Sequence, residues 1–147
     1  MKISARQLAL DLYNCDSKKI YETEELKNIL RDIIGGEPIL TSEFTDEDSF
    51  SIVGTSSEGH IALHIYFTMR YVAVDIFTCS ANPEPEELSK VLRKFFKPDK
   101  MKSTFLKRGD FTATKDIKPK IKTRVSPLRK VRNAGAKAVN LVRRGNK

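Results

Sequence analysis

Tryptophan is absent from this chain of 147 residues, and cysteine and histidine occur only twice each. The cysteines, Cys15 and Cys79, are too few for a disulfide framework. With His60 and His64 they lack the spacing of a structural zinc site, so we expect no metal. No apolar run approaches the roughly 20 residues that a membrane span requires. No stretch after Met1 has the basic and then apolar layout of a secretory signal, which predicts a cytoplasmic protein.

Positive charge is concentrated at one end of the chain. Residues 1–110 carry 15 Lys+Arg and 18 Asp+Glu, a net charge of −3, whereas residues 111–147 carry 12 Lys+Arg and one acid, a net charge of +11. The net charge of +8 is therefore due to the second segment. We predict a mildly acidic domain at residues 1–110, long enough to bury a core, followed by a basic tail at residues 111–147.

The hydrophobic pattern predicts two helices and an antiparallel sheet. Thr23 is placed to cap a helix ending near Ile34, and prolines and glutamates at its start predict a second helix over residues 84–96. Residues 7–15 fit either a strand or a short helix. We predict an α+β fold, a two-layer αβ sandwich with both helices on one face of the sheet. Alternating or β-branched stretches predict strands at residues 39–44, 50–55, 60–67, 71–78 and 102–106.

The basic tail divides into two predicted parts. Residues 111–125 alternate polar and apolar residues, as extended chain does. Ser126–Pro127 begins a predicted basic amphipathic helix, weakened by Gly135. The charge suits a polyanion such as nucleic acid, a ribonucleoprotein, a virion or an acidic protein face, and the alternative is a solvated, disordered extension. The residues expected to bind the partner are Lys118, Lys120, Lys122, Arg124, Arg129, Lys130, Arg132, Arg143 and Arg144.

Two neighbouring predicted strands concentrate residue types that are used in catalysis. Strand alternation places His60 and His64 on one face of the first strand. It places Tyr71 and Cys79 together on one face of the second. Such a cluster fits acid/base chemistry. The alternative is that Glu58–Gly59 is a hairpin turn, that the histidines are hydrogen-bonded sheet residues, and that Cys79 is a small buried hydrophobe.

A family resemblance lies in two runs, Glu58-Gly-His-Ile-Ala-Leu-His64 and Tyr71-Val-Ala-Val-Asp-Ile-Phe-Thr-Cys79. They are similar to the Glu-Ser-His-x-x-x-His and Tyr-Ala-x-Asp-x-Phe-Thr-Cys runs of the short prokaryotic S-adenosylmethionine decarboxylases of spermidine synthesis. Residues 13–16 resemble that family's opening strand and its exit. The resemblance covers residues 3–109 and is most specific over residues 57–79. It implies an αβ sandwich and a homodimer.

The resemblance also identifies a departure at the family's central residue. In the family, the serine between Glu and His attacks the preceding carbonyl, the chain breaks, and the serine becomes the pyruvoyl electron sink. Gly59 stands there and has no hydroxyl. We therefore expect an uncleaved chain with no cofactor, a pseudoenzyme kept as a binding or structural module. The alternatives are an active decarboxylase whose serine was replaced by engineering, and an intact regulator that binds S-adenosylmethionine or a polyamine.

Other family positions are retained. By resemblance, Glu58 precedes the missing serine, His64 promotes self-cleavage, and Cys79 donates the proton in decarboxylation. Ser51 stands where a serine assists processing. Tyr66 stands where an aromatic residue stacks on adenine.

Two further positions depart from the family pattern. Thr68 replaces a glutamate that holds the ribose hydroxyls, and the acidic stretch at residues 46–49 replaces a Phe-containing segment. These departures favour natural divergence over an engineered change. Ser56 or Ser57 would be misplaced as a substitute nucleophile, because the reacting atoms must meet closely.

Overall fold

Seven strands and two helices form the fold of a computed structural model that describes residues 5–34, 37, 39–79, 84–109 and 120–125. A short 3-10 turn at Lys19–Tyr21 precedes the first helix. The elements are β1 (Ala5–Tyr13), α1 (Thr23–Ile33), β2 (Ile39–Thr45), β3 (Ser49–Ser56), β4 (Gly59–Tyr66), β5 (Tyr71–Thr78), α2 (Pro85–Phe96), β6 (Lys100–Arg108) and β7 (Lys120–Val125).

All strands belong to one antiparallel sheet with the order β2-β3-β4-β5-β1-β6-β7. The sequence allowed residues 7–15 to form either a strand or a short helix. In the structure, most of this segment belongs to strand β1, which pairs with both β5 and β6. The predicted α+β sandwich is confirmed. The strand order itself depends on long-range pairing, because β1 inserts between the last strand of the β2–β5 meander and the later β6.

One face of the sheet is buried beneath both helices. Leu10 pairs with Val74 and Leu63 pairs with Ile52, and these side chains are almost completely buried. Alternate residues of a strand point to the same face, so the apolar positions form a continuous surface. The helices add apolar side chains to the same core, namely Leu26, Leu30, Leu88, Leu92, Phe95 and Phe96.

The helix ends differ in detail from the predictions. Thr23 is the first residue of α1, and Glu22 holds the cap position without a side-chain hydrogen bond, so the predicted threonine cap is wrong. The start of α2 agrees with prediction, because Pro85 lies in its first turn with two glutamates. Lys97 ends α2 in the left-handed conformation.

The sheet continues beyond residue 110, where the basic tail was predicted to begin. Strand β7 pairs with β6 from Lys100↔Val125 to Phe105↔Lys120. Lys122 and Arg124 lie on this strand, so part of the segment predicted as extended is a sheet strand. Residues 111–119 and 126–147 lie outside the described residues. They include the predicted helix and the partner residues Lys118, Arg129, Lys130, Arg132, Arg143 and Arg144. The split of the chain at residue 110 stays a prediction.

Candidate functional site

The face of the sheet that points away from α1 and α2, here called the second face, carries most of the predicted site residues. Alternation along β4 and β5 places them there, opposite the buried Leu63 and Val74. Its side chains are exposed or half-buried. Across the central strands they include Asp11, Tyr13, Ser51, His60, His64, Tyr66, Tyr71, Asp75 and Phe77.

Ser51 and His64 form a direct side-chain pair on the second face. They are register partners on β3 and β4, and Ser51 Oγ lies 2.8 Å from His64 Nδ1. Which atom donates depends on the histidine tautomer. The structure therefore joins two residues to which the family resemblance assigns related roles.

The turn of the β3–β4 hairpin consists of Ser57 and Glu58. The alternative of a Glu58–Gly59 turn is wrong by one residue, because Gly59 already belongs to β4 and pairs with both Ser56 and Thr78. Within the hairpin the Glu58 N–H donates to Ser56 Oγ at 3.1 Å. Ser57 is exposed.

The carbonyl oxygen of Glu58 is held by Cys79. The Cys79 N–H donates to it at 2.9 Å, and Cys79 Sγ lies 3.3 Å from the same oxygen. The thiol is exposed, so the alternative that Cys79 is a buried hydrophobe is wrong. Cys15 is the buried thiol, and burial raises its pKa to about 12. Two donors thus polarise the carbonyl directly preceding Gly59.

Gly59 has no room for a side chain. Its φ is +153°, and a Cβ built on it would lie 2.0 Å from the carbonyl oxygen of Phe77. It would also lie 2.9 Å from the carbonyl carbon of Phe77 and 3.0 Å from Thr78 Cα. These are backbone atoms of β5, which cannot rotate away as a side chain would. Any other residue at position 59 therefore requires a shift of the hairpin or of β5.

Three tyrosines form a ladder across β4, β5 and β1. The ring centroids of Tyr66 and Tyr71 are 5.8 Å apart, and those of Tyr71 and Tyr13 are 5.3 Å apart. The Tyr71 hydroxyl donates to Asp11 Oδ1 at 2.5 Å. Burial, and then this bond, raise the pKa of Tyr71 above its usual range. Sequence reasoning missed Asp11 and Tyr13, although alternation against Leu10 and Leu12 would have placed them here if residues 7–15 had been assigned as a strand.

The positions that depart from the family pattern form a structured turn. Asp46 Oδ1 accepts the N–H groups of Asp48 and Ser49, at 2.9 and 2.6 Å. Asp48 Oδ1 accepts the Thr68 N–H at 3.0 Å. Hydrogen bonds from the backbone of Asp48 and the side chain of Ser49 lower the pKa of Asp46, and hydrogen bonds from the side chain and then the backbone of Thr68 lower the pKa of Asp48. The acidic stretch therefore joins the β2–β3 and β4–β5 turns.

No group of three His, Cys, Asp or Glu side chains suited to holding a metal occurs within the described part of the chain. Across the same residues, no helix is long and apolar enough to cross a membrane.

Comparison with known proteins identifies the family. The model of the family described as S-adenosylmethionine decarboxylase matches residues 6–109. The chain belongs to the S-adenosylmethionine decarboxylase family. The match begins at the second residue of β1, runs through β6 and includes every predicted site residue outside the tail.

Individual relatives carry the same description. The S-adenosylmethionine decarboxylase proenzyme of Methanococcus maripaludis strain C5 is 28% identical over 114 residues, which are 74% of this chain and 93% of the relative. The proenzyme of Thermoanaerobacter sp. strain X514 is 29% identical over 115 residues, which are 76% of this chain and 93% of that protein. The crystal structure of the adenosylmethionine decarboxylase from Aquifex aeolicus VF5 superposes with a TM-score of 0.61 at 17% identity. It covers 80% of this chain and 100% of that one. This last likeness shows the shared fold.

Proposed function

We propose that this chain is a non-processing member of the decarboxylase family, a pseudoenzyme that serves as a binding or structural module. The observation that carries the proposal is Gly59, which has no hydroxyl and stands where a Cβ would meet the backbone of β5 at 2.0 Å. Self-cleavage in the family requires a side-chain oxygen at that position. Position 59 therefore does not fit a pyruvoyl group made from its own side chain.

The surrounding groups support this assignment. Cys79 holds the carbonyl that a family serine would attack, and Ser51 is paired with His64. Without a nucleophile between them, no ester forms, the chain does not break and no ketone is made. Ser56 Oγ accepts the Glu58 N–H and so is already engaged within the turn.

The backbone of Gly59 also favours natural divergence over an engineered change. A φ of +153° is readily adopted by glycine and by few other residues. The approach of the Phe77 carbonyl oxygen to within 2.0 Å of a Cβ built at this position is packing that suits glycine and leaves no space for a serine side chain.

The test is an assay for carbon dioxide released from carboxyl-labelled S-adenosylmethionine. The Methanococcus maripaludis proenzyme, expressed and purified in the same way, serves as the reference protein. We expect no release above the protein-free background. Release at a rate comparable with the reference would contradict the proposal and return the chain to decarboxylation in spermidine synthesis.

A second candidate is an intact regulator that binds S-adenosylmethionine or a polyamine. This candidate is favoured by the exposure of the tyrosine ladder at one end, where Tyr66 is 39% exposed and lies beside His64 on the second face. Aromatic rings of this kind stack on adenine and attract cationic amines. Calorimetry with S-adenosylmethionine and with spermidine tests it. Absence of heat from both ligands would exclude this role, and a signal lost in Tyr66→Ala would support it.

The partner of the module is expected to be polyanionic, because the segment after residue 110 carries a net charge of +11. We also propose a homodimer and a cytoplasmic location or membership of a virion or another assembly. Sedimentation in low and high salt separates these associations, since contacts to a polyanion weaken steeply with salt.

A further inference from the structure

The outward surface of α2, on the side of the molecule opposite the second face, carries a row of basic side chains. Residues three and four positions apart lie on one side of a helix, so the row follows α2 for roughly 10 Å. Its exposed members are Lys90, Arg93, Lys94 and Lys97. Lys90 pairs with Glu87 at 2.6 Å, whereas Arg93 and Lys94 form no ion pair with any described residue. Two adjacent cations of α2 are therefore available to an anion outside the fold.

The basic row of α2 extends to the flank of the helix that faces β6 and β7. The other flank faces the 3-10 turn, because Lys19 Nζ lies 5.3 Å from the Phe95 ring centroid. That turn lies toward β4, since Tyr21 stacks on Phe67, the residue that follows β4. Arg93 and Phe95 are two residues apart and project from nearly opposite sides of the helix. Arg93 therefore points toward the other edge of the sheet, where β6 and β7 lie.

Strand β7 extends the sheet beyond α2 and is itself rich in basic residues. Helix α2 packs mainly on β1 and β5, and β7 lies two strand spacings from β1, roughly 10 Å away. The basic residues occupy alternate positions of β7, and Lys120, Lys122 and Arg124 pair in register with Phe105, Ser103 and Met101. Met101 is buried and Phe105 packs against the core, so these registers belong to the helix-bearing face of the sheet. We call the α2 row and these three β7 positions the basic surface.

The described part of the chain ends next to the basic surface. The last residue of β7, Val125, is the register partner of Lys100, which follows the α2 C-cap Lys97 by three residues. Residues 126–147 carry seven Lys+Arg and no Asp or Glu. Like charges repel, so the chain's own tail is not a suitable occupant of this surface. The basic surface and the tail therefore attract the same kind of external anion.

The chemistry of the basic surface fits the phosphates of a duplex. Membrane-binding helices insert large apolar side chains, and protein interfaces bury an apolar core. Among the described residues of α2 and β6, Val91 is the one large apolar side chain that is exposed. Unpaired bases need exposed rings to stack on. The rings of these two elements are buried or half-buried, namely Phe95, Phe96 and Phe105. Contacts to the phosphates of a duplex require cations and no rings.

We propose that α2 and strand β7 bind the phosphate backbone of double-stranded nucleic acid without reading its sequence. Phosphates contact Arg93, Lys94 and Lys97 on α2 and the basic residues of β7, and the tail adds a general attraction. The second face takes no part in this interaction. This binding mode deepens the proposed polyanion-binding role and rests on it.

The test is fluorescence anisotropy of the full chain with a labelled DNA duplex of about 20 base pairs at several salt concentrations. The surface variant is Arg93→Gln with Lys94→Gln. The matched control is Arg31→Gln with Arg70→Gln, which removes two positive charges from exposed positions outside the basic surface. Thermal unfolding of each variant checks that it is folded.

We expect the duplex to bind at about 0.1 M salt, and more tightly than a thymidine single strand with the same number of phosphates. The surface variant should reduce the slope of log affinity against log salt by about 1.8, because each phosphate contact to a duplex contributes about 0.9. The matched control should keep the wild-type slope. The charge-preserving variant Arg93→Lys with Lys94→Arg should also keep it, since phosphate contacts need the charge at these positions.

Three results would overturn the inference. The first is no binding of the duplex, in which case the carbon dioxide assay still decides whether the chain is a decarboxylase. The second is equal slopes in the surface variant and the matched control, which would assign binding to the tail alone and leave the proposed function standing. The third is a surface variant that loses binding to phosphatidylserine-containing vesicles but keeps the wild-type slope with the duplex, which would assign the basic surface to a membrane.

Discussion

A methyl group at position 59 should destabilise the protein far more than its size suggests. In Gly59→Ala, the Cβ would lie 2.0 Å from the Phe77 carbonyl oxygen and the residue would keep a φ of +153° unless the hairpin moves. Holding a non-glycine residue in such a region costs about 1–3 kcal/mol. Moving the strand away from β5 weakens the adjacent Cys79 N–H to Glu58 bond, at about 1 kcal/mol. We expect a loss of about 3 kcal/mol in the free energy of unfolding.

Urea and thermal unfolding measure this loss directly. For a chain of this size, about 3 kcal/mol corresponds to a fall in Tm of roughly 6–12 °C. The matched control is Gly109→Ala, because Gly109 has a positive φ of 70° at the exposed end of β6. Gly109→Ala should lower the free energy of unfolding by about 1 kcal/mol. A Gly59→Ala protein within about 0.5 kcal/mol of wild type would refute the argument that this position has no room for a side chain.

Three further predictions concern thiols, the tyrosine ladder and the core. In the folded chain the exposed thiol of Cys79 should react with a disulfide reagent at neutral pH, and the buried thiol of Cys15 should react only in denaturant. Rapid reaction of both thiols in the folded protein would contradict the burial of Cys15. The pKa of Tyr71 is higher in the folded protein than in the unfolded chain, where it is about 10. The stabilisation that Tyr71 contributes is therefore fully present below a pH of about 10 and is lost as the pH rises further. Tyr71→Phe removes the titrating hydroxyl and should show a smaller alkaline loss of stability in urea unfolding, and an unchanged loss would count against the raised pKa of Tyr71. Leu63→Ala should lower the free energy of unfolding by about 2–5 kcal/mol, because Leu63 is fully buried and its truncation leaves a cavity in the core. A loss below about 1 kcal/mol would show that the surrounding side chains close this cavity.

The local hydrophobic pattern was sufficient to predict the strands in which buried and exposed residues alternate regularly. Strands β4 and β5 alternate cleanly and were predicted within a residue or two. The position of β1 in the sheet was not predictable, because the Leu8, Leu10 and Leu12 spacing does not say which strands it will pair with. The pairing of β7 with β6 was missed for the same reason, since charge and composition marked residues 111–147 as a separate tail.

The candidate site was predicted in its residues more than in its geometry. Alternation placed His64 and Tyr66 on one face, as the structure has them. The 2.8 Å pair between Ser51 and His64 required the β3–β4 register, which no local pattern gives. Cys79 follows the last residue of β5, and its thiol is exposed. The contact of Gly59 with Phe77 depends on how closely two strands approach, and sequence alone does not show it.

The absence of self-cleavage at position 59 is tested by the intact mass of the protein made from its natural sequence. We expect a single species near 16.7 kDa, with no cleavage between Glu58 and Gly59 and no carbonyl group that reacts with a hydrazide reagent. Two fragments divided near residues 56–59, with a ketone at the start of the larger one, would contradict it. That result would show that this chain forms the family's catalytic group in spite of its glycine.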